Sequence, residues 1–259
     1  MLFTTIDGHK TSYRMSPAAG HGRPTVLCIH GSGGDSSVWT SQFAGLAADC
    51  TLVAPDLPGH GKTQGRGGYT IEEYASWLEG FAEALNLRRF AVMGYSMGGA
   101  VAQAFARAYP TRVAGLVLVS TAMRFIVAPE YLLVLERDFP RAARASCDNA
   151  YAPGVAPELY RRGLEMLLAN GGQVMYEDVR ACTRFDSTAW AGKISAPALV
   201  ISGQSDTITP PDHGRALAAA LPNATFESFA AAGHMVMQEA AEPFNAAVKT
   251  FITLLGGPS

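Results

Sequence analysis

Chemistry in this chain begins at a serine set among glycines. Gly94-Tyr95-Ser96-Met97-Gly98-Gly99 follows directly on the apolar run FAVMG and leads into AVAQAFARAY, a helical pattern. At a sharp turn from strand to helix, small residues two before and two after the serine let the backbone fold back closely, so the hydroxyl projects above the sheet. The pentapeptide alone is a weak signal; the strand before it and the helix after it make Ser96 a candidate nucleophile. A neutral hydroxyl needs a base within hydrogen-bond reach, and that base needs a buried carboxylate to fix its tautomer. Asp206, in GQSDTITP just past the run ALVISG, and His234, in AGHM just past ATFESF, supply both groups. The chemistry such a set performs is acyl transfer.

Acyl transfer also needs donors for a developing oxyanion. The Met97 amide stands at a helix N-terminus, where the macrodipole favours negative charge. A second donor is expected from His30-Gly31-Ser32-Gly33-Gly34, the loop after TVLCI, with Ser32 as the residue of choice. Trp39, Met123, Phe125 and Met235 adjoin these loops and would line an apolar acyl pocket, although ordinary core packing is the competing reading for each.

Plainer readings compete at other positions too. Ser96 could be a structural serine in a tight turn, and Asp206 could cap a turn or the next helix. A rival acid position follows VAGLVLVS, but Ser120-Thr121-Ala122-Met123 offers no carboxylate. His9 and His21 precede the core, and His213 falls in a helix. His30 and His60 are assigned to loop structure rather than proton transfer, as are Asp56 and the turn Leu57-Pro58-Gly59-His60-Gly61.

The elements that must position these residues follow from hydrophobic pattern. Asp7-Gly8 between two short β-prone runs signals an antiparallel hairpin. Apolar runs at 25–29, 51–55, 90–94, 113–120, 198–203 and 224–229 read as buried parallel strands, apolar on both faces. Over 71–85, Ile71, Tyr74, Ala75, Leu78, Phe81, Ala82 and Leu85 form one helical stripe, and Thr70 with Glu73 makes a capping-box signature. Strand and helix alternate to about residue 120 and resume near 198, so the expected fold is α/β, a mostly parallel sheet with helices on both faces. Residues 122–190 break the rhythm with several helix-like pieces, such as Glu130–Asp138, Pro157–Asn170 and Val174–Phe185. They are expected to form a helical cap over the carboxyl edge of the sheet, on a core of residues 1–121 and 191–259. Gly256 to Ser259 reads as a frayed tail.

Composition sets outer bounds. With 259 residues, 48% hydrophobic, 16% charged and a net charge of −2, the chain has the make-up of a globular protein, without the basic field that nucleic acid requires. Cys28, Cys50, Cys147 and Cys182 lie at no metal-binding or disulfide-framework spacing and are expected to be reduced thiols. The first residues lack the apolar core of a signal peptide, and no run reaches membrane-spanning length, which makes the cytoplasm the default location.

Taken together, the HGSGG loop, Asp56-Leu57-Pro58-Gly59-His60-Gly61, GYSMGG, GQSD and AGHMVMQEAAEPFN resemble the α/β-hydrolase superfamily, particularly its small bacterial esterase-like members, over nearly the whole chain. The chain order Ser, Asp, His is the one expected of that fold. The resemblance implies an acyl-enzyme mechanism, no cofactor or metal, and a cap between the sixth and seventh core strands. Ser96 at the elbow, where dehalogenase and epoxide hydrolase branches place Asp, argues against those branches. Tyr95 rather than Asn before the serine lowers the branches that cleave carbon–carbon bonds, and Ala100 rather than Arg lowers a menaquinone-pathway lyase. HGSGG in place of HGGG argues against one lipase group. The leading substrate is a small to medium carboxylic ester, lactone or thioester. A cofactor-free perhydrolase or haloperoxidase, a C–C bond hydrolase, and a receptor-like member that uses the pocket for recognition stay open as alternatives.

Overall fold

The computed structural model describes residues 1–17, 23–68 and 70–255; His21 and the tail from Gly256 to Ser259 lie outside them. Eight strands form one sheet in the order β1-β2-β4-β3-β5-β6-β7-β8. They are β1 (Leu2–Ile6), β2 (His9–Met15), β3 (Thr25–Ile29), β4 (Thr51–Pro55), β5 (Phe90–Tyr95), β6 (Val113–Val119), β7 (Ala198–Gly203) and β8 (Ala224–Phe229). β1 and β2 pair antiparallel, β2 joins β4 antiparallel, and every pairing from β4 to β8 is parallel. The opening hairpin turns on Asp7 and Gly8, at φ 48° and 80°, the left-handed pair that suits a two-residue loop between twisted strands.

Helices α1 (Thr40–Leu46), α2 (Ile71–Ala84) and α3 (Met97–Ala108) connect the first parallel strands. Between β6 and β7 lie α4 (Pro129–Arg137), α5 (Phe139–Ala150), α6 (Pro157–Asn170) and α7 (Gly172–Arg184). After β7 come α8 (Pro211–Ala220), α9 (Val236–Glu239) and α10 (Ala241–Leu255). The core lies on both faces of the sheet because successive strand residues alternate sides. Leu27, Ile29, Val92, Leu116 and Val200 pack toward α2 and α3, whereas Val26, Cys28, Met93, Val117 and Ile201 pack with residues of α1 and α10.

α2 starts where its sequence says it should. The Thr70 hydroxyl accepts from the Glu73 amide while the Glu73 carboxylate accepts from the Thr70 amide, satisfying two otherwise orphaned donors. Its stripe from Ile71 to Ala82 is buried.

One expectation needs correction, and one helix goes beyond the pieces singled out. β8 is not apolar on both faces: Thr225 and Glu227 are exposed and alternate with partly buried neighbours. It forms the sheet edge beside β7 alone, and the alternation in ATFESF carried that signal. That helix is α5, which none of the three helix-like pieces covers. Pro140 there does not break a helix but sits in its first turn, where a missing N–H costs nothing, and the Asp138 side chain accepts from the Arg141 amide at 3.3 Å to cap it.

Candidate active site

Ser96 sits between β5 and α3 with φ 54° and ψ −118°, a conformation that L-residues adopt only when the surroundings enforce it. The Ser96 amide donates to Val119 O at 2.9 Å, and the Thr121 hydroxyl donates to Ser96 O at 2.8 Å. The flanking glycines are sterically required. A Cβ on Gly94 would run into the Gly98 carbonyl, and one on Gly98 would meet the carbonyls of Ile29 and His30. The motif spacing therefore records backbone contact across the turn.

Asp206 and His234 follow the carboxyl ends of β7 and β8. Ser96 Oγ lies 2.9 Å from His234 Nε2, and His234 Nδ1 lies 2.8 Å from Asp206 Oδ2. A carboxylate can only accept, so Nδ1 carries the proton and Nε2 is left free to accept from the serine. Asp206 also accepts from the amides of Ile208 and Thr209, each at 2.9 Å, and from the Thr209 hydroxyl at 2.9 Å. Burial alone would push the Asp206 pKa up; the adjacent His234 and the Thr209 donors outweigh it and hold the carboxyl below its usual range.

The histidine loop is anchored from the helices between β6 and β7. His234 N donates to Ala150 O at 2.7 Å, and Glu239 accepts from Gly233 N at 3.0 Å and Ala152 N at 2.7 Å.

A cavity of about 470 Å³ opens over Ser96 and His234. Ser32, Phe125 and Met235 line it, together with Tyr95, Tyr131, Cys147, Tyr151, Met166, Leu167, Met175 and Val179. Among the described residues, no Lys, Arg, Asp or Glu side chain lines this cavity. Trp39 and Met123 do not line it, which corrects two of the expected pocket residues. Trp39 is fully buried in the packing between sheet and helices, and its neighbour Val38 reaches the cavity instead. Met123 packs against the core on the α3 side.

Met97 is fully buried at the start of α3, and the Ser32 hydroxyl points toward its sulfur at 3.8 Å, bringing the glycine loop against the elbow. Within that loop, Gly34 N donates to Gly31 O at 3.1 Å and Gly33 N donates to Asp178 Oδ2 at 2.8 Å.

Asp178 on α7 is the buried centre of a second network that sequence reasoning missed. His60 Nε2 meets Asp178 Oδ2 at 2.8 Å, the Tyr74 hydroxyl donates to Asp178 Oδ1, and His60 Nδ1 donates to Pro58 O at 3.0 Å. Burial works against a charged imidazole here, but the Asp178 carboxylate raises the His60 pKa. His30 takes the other form. Its Nε2 accepts from Leu57 N at 3.0 Å and its Nδ1 donates to Gly31 O at 2.8 Å, while burial and the neighbouring His60 push its pKa down to about 4. Asp56 accepts from Ser36 N at 2.8 Å and from the Ser12 hydroxyl, and so ties loops together away from Ser96.

The cysteines are all buried and free, and burial pushes the thiols of Cys50 and Cys147 up to about 11. Among the described residues, no helix is long and apolar enough to cross a membrane.

Residues 24–241 match the family model for the alpha/beta hydrolase fold, and the chain belongs to that family. It is similar to a 2-hydroxy-6-oxononadienedioate/2-hydroxy-6-oxononatrienedioate hydrolase of Paraburkholderia phymatum, 32% identical over 90% of this chain and 88% of that one. Among solved structures, a thermophilic esterase from Thermogutta terrifontis superposes with a TM-score of 0.90 at 28% identity, covering 99% of this chain and 100% of the other. The enol-lactonase from Burkholderia xenovorans gives a TM-score of 0.91 at 25% identity, covering 97% and 100%. The chain is thus a hydrolase of the α/β fold.

Proposed function

We propose that this hydrolase cleaves a neutral, largely apolar carboxylic ester or lactone through an acyl-enzyme, with Ser96 as nucleophile, His234 as general base and acid, and Asp206 orienting the histidine. The observation that carries the reading is the continuous relay from Ser96 Oγ to His234 at 2.9 Å and on to Asp206 at 2.8 Å, at the floor of a cavity without a formally charged side chain among the described residues. Ser96 Oγ attacks the carbonyl carbon as its proton passes to His234 Nε2. The carbonyl π pair moves onto oxygen, where the amides of Met97 and Ser32 receive it. Ser32 is favoured because it lines the cavity while the Gly33 and Gly34 amides are already engaged. Each such donor lowers the barrier by about 3 kcal/mol. Collapse expels the alcohol, which takes the proton from His234. Water, deprotonated by the same nitrogen, then releases the acid from Ser96.

In this reading residues 122–190 are the cap, and Tyr131, Cys147, Tyr151, Leu167, Met175 and Val179 give its helices one wall of the acyl site. The cleavage of a dienedioate, the substrate in the name of the Paraburkholderia relative, would bring two carboxylates into a site that offers them no Lys or Arg among the described residues. An unpaired buried charge is strongly disfavoured, so that C–C bond reading ranks below the ester and lactone one.

The deciding experiment is hydrolysis of p-nitrophenyl esters from acetate to laurate, beside Ser96→Ala and a serine-directed phosphonate. Turnover lost in the variant, with phosphonate attached to Ser96 in the wild type, is the expected result. Undiminished turnover in Ser96→Ala would overturn the nucleophile assignment, and failure of the phosphonate to react would favour a binding role.

A further inference from the structure

We propose that Asn170 and Asp178, on the helices between β6 and β7, are positioning residues for the oxyanion-binding loop, so that the cap sets the register of the acyl-transfer machinery as well as enclosing the substrate. This rests on the reading that the 31–34 loop supplies an oxyanion donor.

Gly33 and Gly34 have no side chains with which to fix their peptides, and Gly33 stands at φ 65°. Such a segment is costly to order from within. Beyond the internal bond from Gly34 N to Gly31 O, the hydrogen bonds that order it come from the cap. Asn170 Nδ2 donates to Gly33 O and Gly34 O, each at 2.9 Å, while its Oδ1 accepts from Gly61 N at 2.8 Å. Asp178 Oδ2 accepts from Gly33 N at 2.8 Å. The N–H of the peptide unit before Gly33 and the C=O of the unit after it are thus held by one carboxylate and one amide from the cap.

The carboxylate is itself fixed. Asp178 and His60 are fully shielded from solvent, and Tyr74 donates to the other oxygen. Packing closes the remaining freedom, because a Cβ added at Gly33 would stand 3.0 Å from Met175 Cγ and 3.2 Å from Leu167 Cδ2. Neither Asn170 nor Asp178 lines the cavity, so their effect on chemistry passes through the loop. An amide donor acts only when it lies within about 0.2 Å of its working distance from the oxyanion, and misplacement by about 1 Å costs on the order of 10²-fold in rate.

The test uses Asn170→Asp, which keeps the shape and the acceptor for Gly61 N but removes both donations, with Asp178→Leu, which fills similar space and offers Gly33 N no acceptor, as a second variant. Each is assayed on a p-nitrophenyl ester and on its thiono analogue, whose C=S accepts hydrogen bonds weakly. Amide hydrogen exchange at residues 31–34 is followed in parallel. The expected result is a kcat on the oxo ester lowered 10- to 100-fold, KM within about threefold, a thiono rate nearly unchanged and faster exchange in the loop. A purely structural role would lower the melting midpoint while leaving the oxo-to-thiono ratio at its wild-type value, and that outcome overturns the proposal. Should the wild type hydrolyse neither ester, the reading of the site fails separately. The exchange data then decide: protection lost in the variants supports the clamp, and protection equal to wild type overturns it.

Discussion

His30 and His60 lie with their ring centroids 4.7 Å apart in the buried interior behind the glycine loop, and their partners give them different protonation states. His60 is held between an acceptor carboxylate and an acceptor carbonyl and keeps both protons. His30 accepts from Leu57 N and stays neutral, with a pKa of about 4.

This difference sets a sign for stability against pH. Unfolded, both rings take up a proton near pH 6.5; folded, His60 is already protonated there and His30 is not. The depressed pKa of His30 therefore contributes stability that is present above pH ~6.5 and erodes as pH falls toward about 4. The raised pKa of His60 contributes stability that is full below pH ~6.5 and is lost as pH rises through its folded value. Between those limits His30 alone sets the slope of this pair. His30→Gln, which keeps a donor and an acceptor, is expected to show a shallower loss of melting midpoint from pH 6.5 to 4 than wild type. Parallel curves would mean that His30 titrates normally.

Asp206→Asn tests the orienting role of the carboxylate. An asparagine in that place can present its NH₂ to His234 Nδ1, which fixes the proton on Nε2 and removes the acceptor that Ser96 needs. By analogy with other Ser-His-Asp enzymes, kcat is expected to fall on the order of 10⁴-fold while the fold persists. The measurement is steady-state hydrolysis of the best p-nitrophenyl ester alongside the circular-dichroism melting curve. A loss below about tenfold would point to a different carboxylate.

The elbow gives a prediction about backbone rather than side chain. Gly98→Ala would drive a Cβ into the carbonyls of Ile29 and His30, both parts of the sheet and of the glycine loop. The expected result is a large loss of stability or of soluble expression, with any folded fraction impaired in turnover. Gly80, on α2, is the contrast: a Cβ there would stand no closer than 3.5 Å to its nearest neighbour, Ile6 Cγ2, so Gly80→Ala should be tolerated, gaining up to about 1 kcal/mol from helix propensity. Equal melting midpoints for the two variants would remove the steric account of the motif.

What could be read from sequence divides along a physical line. Ser96 and Asp206 were visible because each follows a strand that is apolar throughout, and His234 because it follows a strand of alternating pattern; parallel strands deliver their carboxyl ends to one edge. The Asp7-Gly8 turn and the Thr70–Glu73 box were visible because their geometry is local. Asp178, Asn170 and Glu239 were not, because their partners lie far off in the chain: Asp178 meets Gly33 across 145 positions and Glu239 meets Ala152 across 87. Buried polar residues on amphipathic helices carry no mark of which loop they will face. Trp39 and Met123 failed as pocket residues for the same reason. Hydrophobic type marks a residue as buried, but which buried surface it joins is decided by tertiary packing.

The uncharged cavity leads to the last prediction, one of selectivity. A p-nitrophenyl butyrate and the p-nitrophenyl monoester of succinic acid have acyl parts of similar length, but the second ends in a carboxylate. Binding it in a site walled by Leu167, Met175 and Val179, with no cation among the described residues, requires stripping water from the charge without replacing it. Even a partial desolvation cost of about 3 kcal/mol corresponds to a kcat/KM roughly 100-fold lower for the charged ester. Met166 lines the same cavity and remains partly exposed, so Met166→Arg can carry a guanidinium into it with its stem along the apolar wall. That variant is expected to narrow the gap by at least tenfold, chiefly through KM for the succinate ester, while leaving kcat for the butyrate ester within a few-fold. Comparable kcat/KM for the two esters in the wild type would mean that the acyl chain lies outside this cavity, and the neutral-substrate reading would fall with it.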